Sequence, residues 1–185
     1  NPADRNETVS RKTKKWQAKL GLTRPKVNRD IYLRRIDGLV FGEDPRQGFV
    51  ENEVFYHPGL RFSFPVPQGW TLQNTPAFVR MISPKKDALV VFTIWSAGTS
   101  EQAALQFAQR TKANVMESSP TQVNGLQAHR MISEVRSQQG VVAIMSYFIE
   151  KEGKVYVFYG LTSPVRFDDY SPTFGRTMKQ FKKLT

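Results

Sequence analysis

Cysteine is absent from the 185-residue sequence, and histidine occurs only twice. Without cysteine the chain forms no disulfide, thiolate metal site or cysteine nucleophile. The two histidines, His57 and His129, do not stand in HExxH, HxH or another zinc-ligand spacing. No serine occupies a GxSxG elbow, and no glycines have the spacing of a phosphate-binding loop. We therefore expect a chain without catalytic residues, cofactor or metal of its own.

Long apolar runs are also missing, since none reaches the roughly 20 residues that a bilayer span requires. The composition, with 39% hydrophobic and 12% aromatic residues, is typical of a globular domain with a core. The chain starts at Asn1 without a basic and apolar leader segment. We interpret it as a processed or excised part of a longer protein.

Acidic residues are scarce at the N-terminal end. Residues 1–35 contain eleven Lys or Arg against three acids, a net charge of +8 out of the total +11. The basic character thus belongs to an appendage, which we place at residues 1–48. Contact with a polyanion or an acidic membrane surface through this segment is one hypothesis. The alternative is a solvated helix face. The residues proposed for the contact are Arg11, Lys12, Lys14 and Lys15.

Helical spacing of Val9, Trp16 and Leu20 predicts a helix over residues 3–20 that stops at Gly21, and Asn28 favours a second, short helix. Between this helix and Gly48 the sequence predicts bends in the chain. A residue before proline is disfavoured in the α-helical conformation, and glycine permits positive φ. We interpret these bends as a hinge or docking segment. Its residues are Asp37, Gly38, Asp44, Pro45, Arg46 and Gly48.

After Gly48 the pattern changes to β-like runs. Predicted strands cover residues 53–57, 61–66, 78–82, 88–95, 126–136, 141–151 and 154–162. Runs 88–95 and 141–151 are apolar on both faces, so we expect them to be central strands of the sheet. Other elements should then pack on both faces of the sheet. The N-terminal helices would supply part of one such layer. Ser100 is a predicted cap of a helix to about residue 113, and Ser171-Pro172 predicts the start of a C-terminal helix. The buried face of this C-terminal helix is predicted to consist of Phe174, Met178, Phe181 and Leu184. The fold class is α+β, an antiparallel sheet with helices packed on it, over residues 49–185.

Several residues have both a functional and a structural interpretation, and the structural one is favoured. His57 is a turn residue bonded to the backbone rather than a zinc ligand. Asp168 and Asp169 stabilise a helix start rather than act as paired acid and base. Trp70 belongs to the core. The aromatic run VYVFYG has no interleaved basic residues, which favours core packing over base stacking, so nucleic acid is not an expected partner.

Residues 30–80 contain a series of motifs that resemble those of a known protein family. The matching motifs are Tyr32-Leu33, Ile36-Asp37-Gly38-Leu39, Phe41-Gly42, Asp44-Pro45-Arg46-Gln47-Gly48, His57-Pro58, Phe64-Pro65-Val66-Pro67, Gly69-Trp70 and Asn74-Thr75-Pro76. This stretch resembles the region downstream of the catalytic domain in bacterial zinc metallopeptidases related to the CAAX prenyl endopeptidases and HtpX. The resemblance implies a parent protein whose own catalytic domain holds the zinc, and a periplasmic or cell-envelope location.

The body after Gly48 is also similar to the photosystem II extrinsic protein PsbP. The FxFPVPxGW opening, the order of sheet, helix and sheet, and the final amphipathic helix support this likeness. PsbP-like folds are α/β/α sandwiches that serve as protein-interaction modules, although a fold alone does not decide function.

Three functions remain as hypotheses. The preferred one is a non-catalytic accessory domain of a zinc metallopeptidase, whose partners are its own catalytic domain and protein substrates. The second is a free-standing PsbP-like binding module of the envelope. The third is polyanion binding through the basic segment, with peripheral membrane contact left open. The sequence does not define the oligomeric state.

Overall fold

A computed structural model of the chain describes residues 2–21, 48–95, 98–137 and 140–184. The chain separates into two compact units, Asn1–Phe41 and Gly42–Thr185. In the first unit, helix α1 spans Pro2–Lys19, and Gly21 follows it at φ +64°. The short helix predicted near Asn28 lies outside the described residues. The predicted boundary between residues 48 and 49 stays a prediction.

The second unit contains a seven-stranded antiparallel sheet with the order β4-β5-β6-β10-β9-β8-β7. Its strands are β4 (Thr71–Asn74), β5 (Val79–Ile82), β6 (Ala88–Trp95), β7 (Asn114–Val123), β8 (Leu126–Ser137), β9 (Gly140–Lys151) and β10 (Lys154–Thr162). The three strands from β8 to β10 follow one another as hairpins. Their register joins Ser137 to Gly140 and Lys151 to Lys154, as the predicted short turns require.

A second, four-stranded antiparallel sheet has the order β1-β2-β3-β11. Its strands are β1 (Phe49–Glu51), β2 (Val54–His57), β3 (Phe62–Pro65) and β11 (Lys182–Lys183). Three phenylalanines of β2 and β3 are fully or almost fully buried, namely Phe55, Phe62 and Phe64. The rings of Phe62 and Phe64 contact Phe92 of β6, and that of Phe64 also contacts Phe158 of β10, so the small sheet packs on one face of the large sheet.

Helix α2 (Ser100–Thr111) covers the opposite face of the large sheet. The side chains of β9 point alternately to the two faces of the large sheet. Phe148 packs against Phe107 of α2, whereas Tyr147 and Ile149 lie in the core between the large sheet and the small sheet. Thr99 caps α2 and forms a capping box with Gln102. The cap thus lies one residue before the predicted Ser100.

Helix α3 (Phe167–Lys179) packs on the same face as the small sheet. Phe174 and Met178 are completely buried, as the apolar spacing predicted. Trp70 is partly buried against Phe174 and Tyr170 with edge-on ring contacts, which agrees with its predicted core role. Both faces of the large sheet are therefore covered by elements of residues 48–184.

The predicted start of α3 was wrong. The helix begins at Phe167, directly after a 3-10 turn at Pro164–Arg166, and contains Pro172 in its interior. Tertiary contacts stabilise the early start, because Tyr170 Oη donates to Asp87 and Arg166 pairs with Asp87 and Asp169. Together with the burial of Phe174 and Met178, these contacts favour the helix although Pro172 lacks the helical N–H donor.

Phe181 and Leu184 were predicted to continue this helix, which was also wrong. The helix ends at Lys179, and the chain turns so that Lys182 and Lys183 pair with β3. Phe181 is nevertheless completely buried, and its ring contacts Phe62 and Tyr156. Burial was predicted correctly, but the element was not.

Strands β1, β4, β7 and β11 were not predicted. In β7 the sequence Ser118-Ser119-Pro120 is typical of a loop. Pro120 is tolerated there because β7 lies at the sheet edge and pairs with β8 alone. The fold class itself, α+β with an antiparallel sheet and packed helices, is confirmed.

Candidate functional site

A groove of about 430 Å³ opens where the turn after β2, the turn between β4 and β5, and strand β6 meet. Its floor is apolar and rigid, because Phe62, Val79 and Phe92 are buried core residues. Phe62 and Phe92 lie in ring contact with centroids 5.0 Å apart. The groove is thus an opening into the main core of the second unit.

The rim of the groove carries exposed apolar side chains. Phe78 is 37% exposed and Ile94 is 36% exposed. Large apolar side chains that remain exposed together beside a concave surface are typical of interaction sites. The rim leaves the groove open rather than enclosed, which fits a protruding side chain better than a small molecule held on all sides.

Hydrogen bonds hold the rim in place. In the β4–β5 turn, the Thr75 hydroxyl donates to the Phe78 carbonyl at 2.8 Å and accepts from the Phe78 N–H at 3.1 Å. The Thr93 hydroxyl of β6 donates to the Ala77 carbonyl at 3.0 Å. Because these bonds fix the turn against β6, Phe78 is presented without a large ordering cost on binding.

His57 supplies the imidazole group of the groove. Its Nδ1 accepts a hydrogen bond from the Leu60 N–H at 3.1 Å, as the turn interpretation predicted. This bond assigns the ring proton to Nε2, which remains a donor. Burial lowers the pKa of His57 below 6.5, and a hydrogen bond with the backbone of His57 itself acts in the opposite direction. At neutral pH the imidazole is therefore uncharged beside apolar walls.

The groove can bind an apolar group and donate a hydrogen bond beside it. Among the described residues that line it, none is a carboxylate that could orient His57 as a base, and none is a lysine or arginine that could stabilise an anion. Across the described ranges, no group of three His, Asp or Glu side chains is placed to hold a metal ion.

Of the predicted hinge segment, the described part of the chain includes Gly48 alone. Gly48 has φ +93°, and a Cβ there would meet the Phe55 ring at 2.5 Å and the Tyr56 carbonyl at 2.7 Å. Its carbonyl accepts a hydrogen bond from the amide of Asn74, a residue of the groove, at 3.4 Å. The remaining hinge residues Asp37, Gly38, Asp44, Pro45 and Arg46 lie outside the described residues.

The predicted polyanion contact lies on helix α1. Arg11, Lys12, Lys14 and Lys15 are all exposed there. Lys12 borders a shallow apolar groove on this helix together with Trp16. No helix of the described ranges is long and apolar enough to cross a membrane.

His129 and the aspartate pair lie away from the groove at β6. His129 of β8 is buried, and its Nε2 is 2.7 Å from the Ser118 hydroxyl of the neighbouring strand. Asp168 and Asp169 lie in the first turn of α3, where negative charge stabilises the helix dipole.

Sequence reasoning did not identify Phe78, Thr93 and Ile94 as site residues. Thr93 and Ile94 belong to a run that is apolar on both faces, so the pattern does not show which side chains remain exposed. The Thr75-Pro76 turn before Phe78 was the available signal, because a turn places the next apolar residue at a sheet end.

The layered arrangement defines the class of fold as PsbP-like. Cyanobacterial PsbP from Synechocystis aligns over 79% of this chain and 98% of its own, with a TM-score of 0.57 and 15% identity. The Ran-binding protein Mog1p of Saccharomyces cerevisiae aligns over 74% and 97%, with a TM-score of 0.52 and 10% identity. At these identities the likeness shows the fold and not the function.

A third solved structure comes from a mycobacterium. LpqN of Mycobacterium tuberculosis, a protein involved in cell envelope biogenesis, aligns over 88% of this chain and 100% of its own, with a TM-score of 0.51 and 14% identity. No protein-family model and no curated protein matches the sequence. The resemblance to zinc metallopeptidases therefore remains one of sequence motifs alone.

Proposed function

We propose that this chain is a protein-binding module of the cell envelope, without catalytic activity, cofactor or metal of its own. The partner inserts an apolar side chain, such as leucine, phenylalanine or methionine, into the groove beside β6. The exposed pair Phe78 and Ile94 above a floor of buried rings is the observation that supports this proposal. Two solved neighbours of the same fold carry descriptions that fit it, since Mog1p binds Ran and LpqN takes part in envelope biogenesis.

A peptide-display selection on the immobilised chain tests the proposal. We expect enriched peptides to share one large apolar residue, because the floor accepts no charged group without a desolvation cost. Phe78→Asp and Ile94→Asp should each reduce binding at least about tenfold, the scale expected when an interface anchor is lost. Leu105→Asp is the matched control, because Leu105 is 58% exposed on α2, which covers the opposite face of the sheet.

Two results would contradict the proposal. Enriched peptides without a common apolar residue would show that the groove does not select peptides by an apolar side chain. Equal loss of binding in Leu105→Asp and Ile94→Asp would place the contact elsewhere or report general damage to the fold, which thermal unfolding of each variant distinguishes.

A second proposal concerns the parent protein. The motifs at residues 30–80 support an accessory domain that positions a zinc metallopeptidase or recognises its substrate. The natural gene should then encode an HExxH helix upstream of Asn1, and the purified parent should bind zinc. A natural polypeptide that begins near Asn1 after a cleaved leader would instead support the free-standing module.

A further inference from the structure

Helix α1 and the turn that follows it carry three exposed apolar side chains. Val9, Trp16 and Leu20 are 56%, 57% and 63% exposed. Their spacing of seven and four residues places them along one line of the helix surface. The stripe is about 16 Å long at 1.5 Å of rise per residue. It forms a shallow groove of about 350 Å³ along this helix.

Positive charge surrounds this stripe. Residues 7–20 contain five Lys or Arg and a single acid, Glu7, a net charge of +4. Lys12 lines the groove between Val9 and Trp16. The ammonium of Lys19 lies 5.0 Å from the centroid of the Trp16 ring. The face is thus apolar along its centre and cationic beside it.

The position of Lys12 distinguishes between two kinds of partner. If α1 paired with another helix along this stripe, Lys12 would be buried in the interface between the two helices. Its ammonium would then lose its hydration. At a bilayer surface the same side chain extends toward the lipid phosphates while its methylenes stay beside the apolar stripe. Tryptophan is likewise favoured at the level of the headgroups.

We propose that α1 is an amphipathic anchor that lies in the interface of an anionic phospholipid bilayer. Val9, Trp16 and Leu20 enter the boundary of the acyl region, and the lysines and Arg11 contact headgroup phosphates. Three apolar residues give weak insertion, so binding is reversible and requires anionic lipid. This surface is independent of the groove in the second unit, and its function does not rest on the proposed protein partner.

Co-sedimentation of the full 185-residue chain with vesicles tests this inference. We expect binding to vesicles of phosphatidylcholine and phosphatidylglycerol in a 3:1 ratio, and little binding to phosphatidylcholine alone. Replacing Lys12, Lys14, Lys15 and Lys19 by glutamine should lower the partition coefficient at least about 100-fold, since each lysine near the surface contributes roughly fivefold.

The matched control removes the same charge from the second unit. Lys85, Lys86, Lys154 and Lys182 are exposed, and their replacement by glutamine should change binding less than about threefold, because none of them belongs to the lipid-binding face proposed for α1. Equal losses in both quadruple variants would overturn the proposal, since net charge alone would then explain binding.

Trp16→Ala separates a membrane from a soluble polyanion. Vesicle binding should fall about tenfold, because the apolar contact is lost, while binding to heparin stays unchanged. If Trp16→Ala leaves vesicle binding intact, or if the wild-type chain binds heparin and DNA but not anionic vesicles, the membrane proposal is wrong. Helix content by circular dichroism confirms that each variant retains α1.

Discussion

Lys151 shows how a single residue joins the hairpins of the second unit to the groove. Its side chain is 1% exposed, and its ammonium donates to the Leu60 carbonyl at 2.9 Å and to a Glu152 carboxylate oxygen at 3.0 Å. It also lies 5.6 Å from the Tyr156 ring centroid. A buried ammonium is stable only when its donors are satisfied, so these contacts fix the turn that contains Leu60.

Lys151→Ala should destabilise the chain by about 1–3 kcal/mol, the usual cost of leaving a buried carbonyl unpaired. Urea unfolding followed by tryptophan fluorescence measures this change. Lys154→Ala is the control, because Lys154 begins β10 in an exposed position and its removal should change the free energy of unfolding by less than about 0.5 kcal/mol. Equal effects of the two substitutions would contradict this role.

Glu152 makes stability depend on pH. Hydrogen bonds from Lys151 and then Lys183 lower the pKa of Glu152 to about 2. Because the folded pKa is below that of the unfolded chain, this contribution is complete above about pH 4.5 and is lost as pH falls toward 2. The difference in unfolding free energy between wild type and Glu152→Gln should therefore shrink from pH 7 to pH 2. A difference that stays constant over this range would show that the ion pairs contribute nothing.

His57 should make groove binding depend on pH. Its pKa is lowered by burial, so the neutral form dominates at pH 7.5 and the charged form appears only below pH 6.5. Protonation places a charge beside apolar walls and turns Nδ1 from an acceptor into a donor that opposes the Leu60 N–H. Because the pKa of His57 is lower in the folded chain, its contribution to the free energy of unfolding is fully present above pH 6.5. This contribution declines as pH falls toward the lowered pKa.

Affinity for an apolar peptide should therefore fall between pH 7.5 and pH 5 in the wild type. In His57→Asn the affinity should be independent of pH, because the asparagine oxygen stands two bonds from Cβ as Nδ1 does, can accept from the Leu60 N–H and does not titrate. Calorimetry at the two pH values measures both. The same decline in both proteins would exclude His57 as its cause.

At the scale of elements, the contact between α3 and the large sheet depends on the absence of a side chain. Gly160 of β10 lies under Phe174, and a Cβ there would meet the Phe174 ring at 2.5 Å. The backbone of Gly160 does not need positive φ. Close approach of the ring, and not backbone conformation, therefore accounts for this glycine.

Gly160→Ala should destabilise the fold by about 1–3 kcal/mol through overpacking. Combining it with Phe174→Leu should cost less than the sum of the single changes, because the smaller side chain relieves the clash. Gly175→Ala in α3 is the matched control: its nearest neighbour, the Met145 sulfur, is 4.0 Å away, so it should be neutral or stabilising. Thermal and urea unfolding give the values for Gly160→Ala, Phe174→Leu, the double variant and the control, and additivity of the double variant would contradict this account.

Element boundaries show where sequence reasoning succeeds. β6 and β10 were predicted at their observed bounds, because their apolar runs end at turn residues. Helix α3 was placed too late, since Pro172 favours a first-turn position and the sequence does not reveal that Asp87 anchors Arg166 and Tyr170. Strand β7 was missed because its pairing with β8 stabilises residues whose local preference is a loop. Long-range contacts decided both cases.

For the whole molecule, the sequence predicted that both faces of the large sheet are covered, but it predicted neither the small sheet as one of the covering elements nor the site. Apolar patterns on both faces of β6 and β9 required two covering layers, and α2 on one side and the small sheet with α3 on the other supply them. The groove forms where the turn after β2 meets the β4–β5 turn and strand β6. The turn after β2, with His57 and Leu60, is distant from β6 in the chain. No local pattern identifies such a meeting point.

The central claim is that the groove beside β6 binds an apolar side chain of a protein partner. Amide chemical shifts of the ¹⁵N-labelled chain, titrated with a peptide enriched by display, test it most directly. We predict that the largest changes fall at residues 57–62, 74–79 and 92–94, and that Ile94→Asp abolishes them. Changes confined to the α2 face, or changes that persist in Ile94→Asp, would contradict the account.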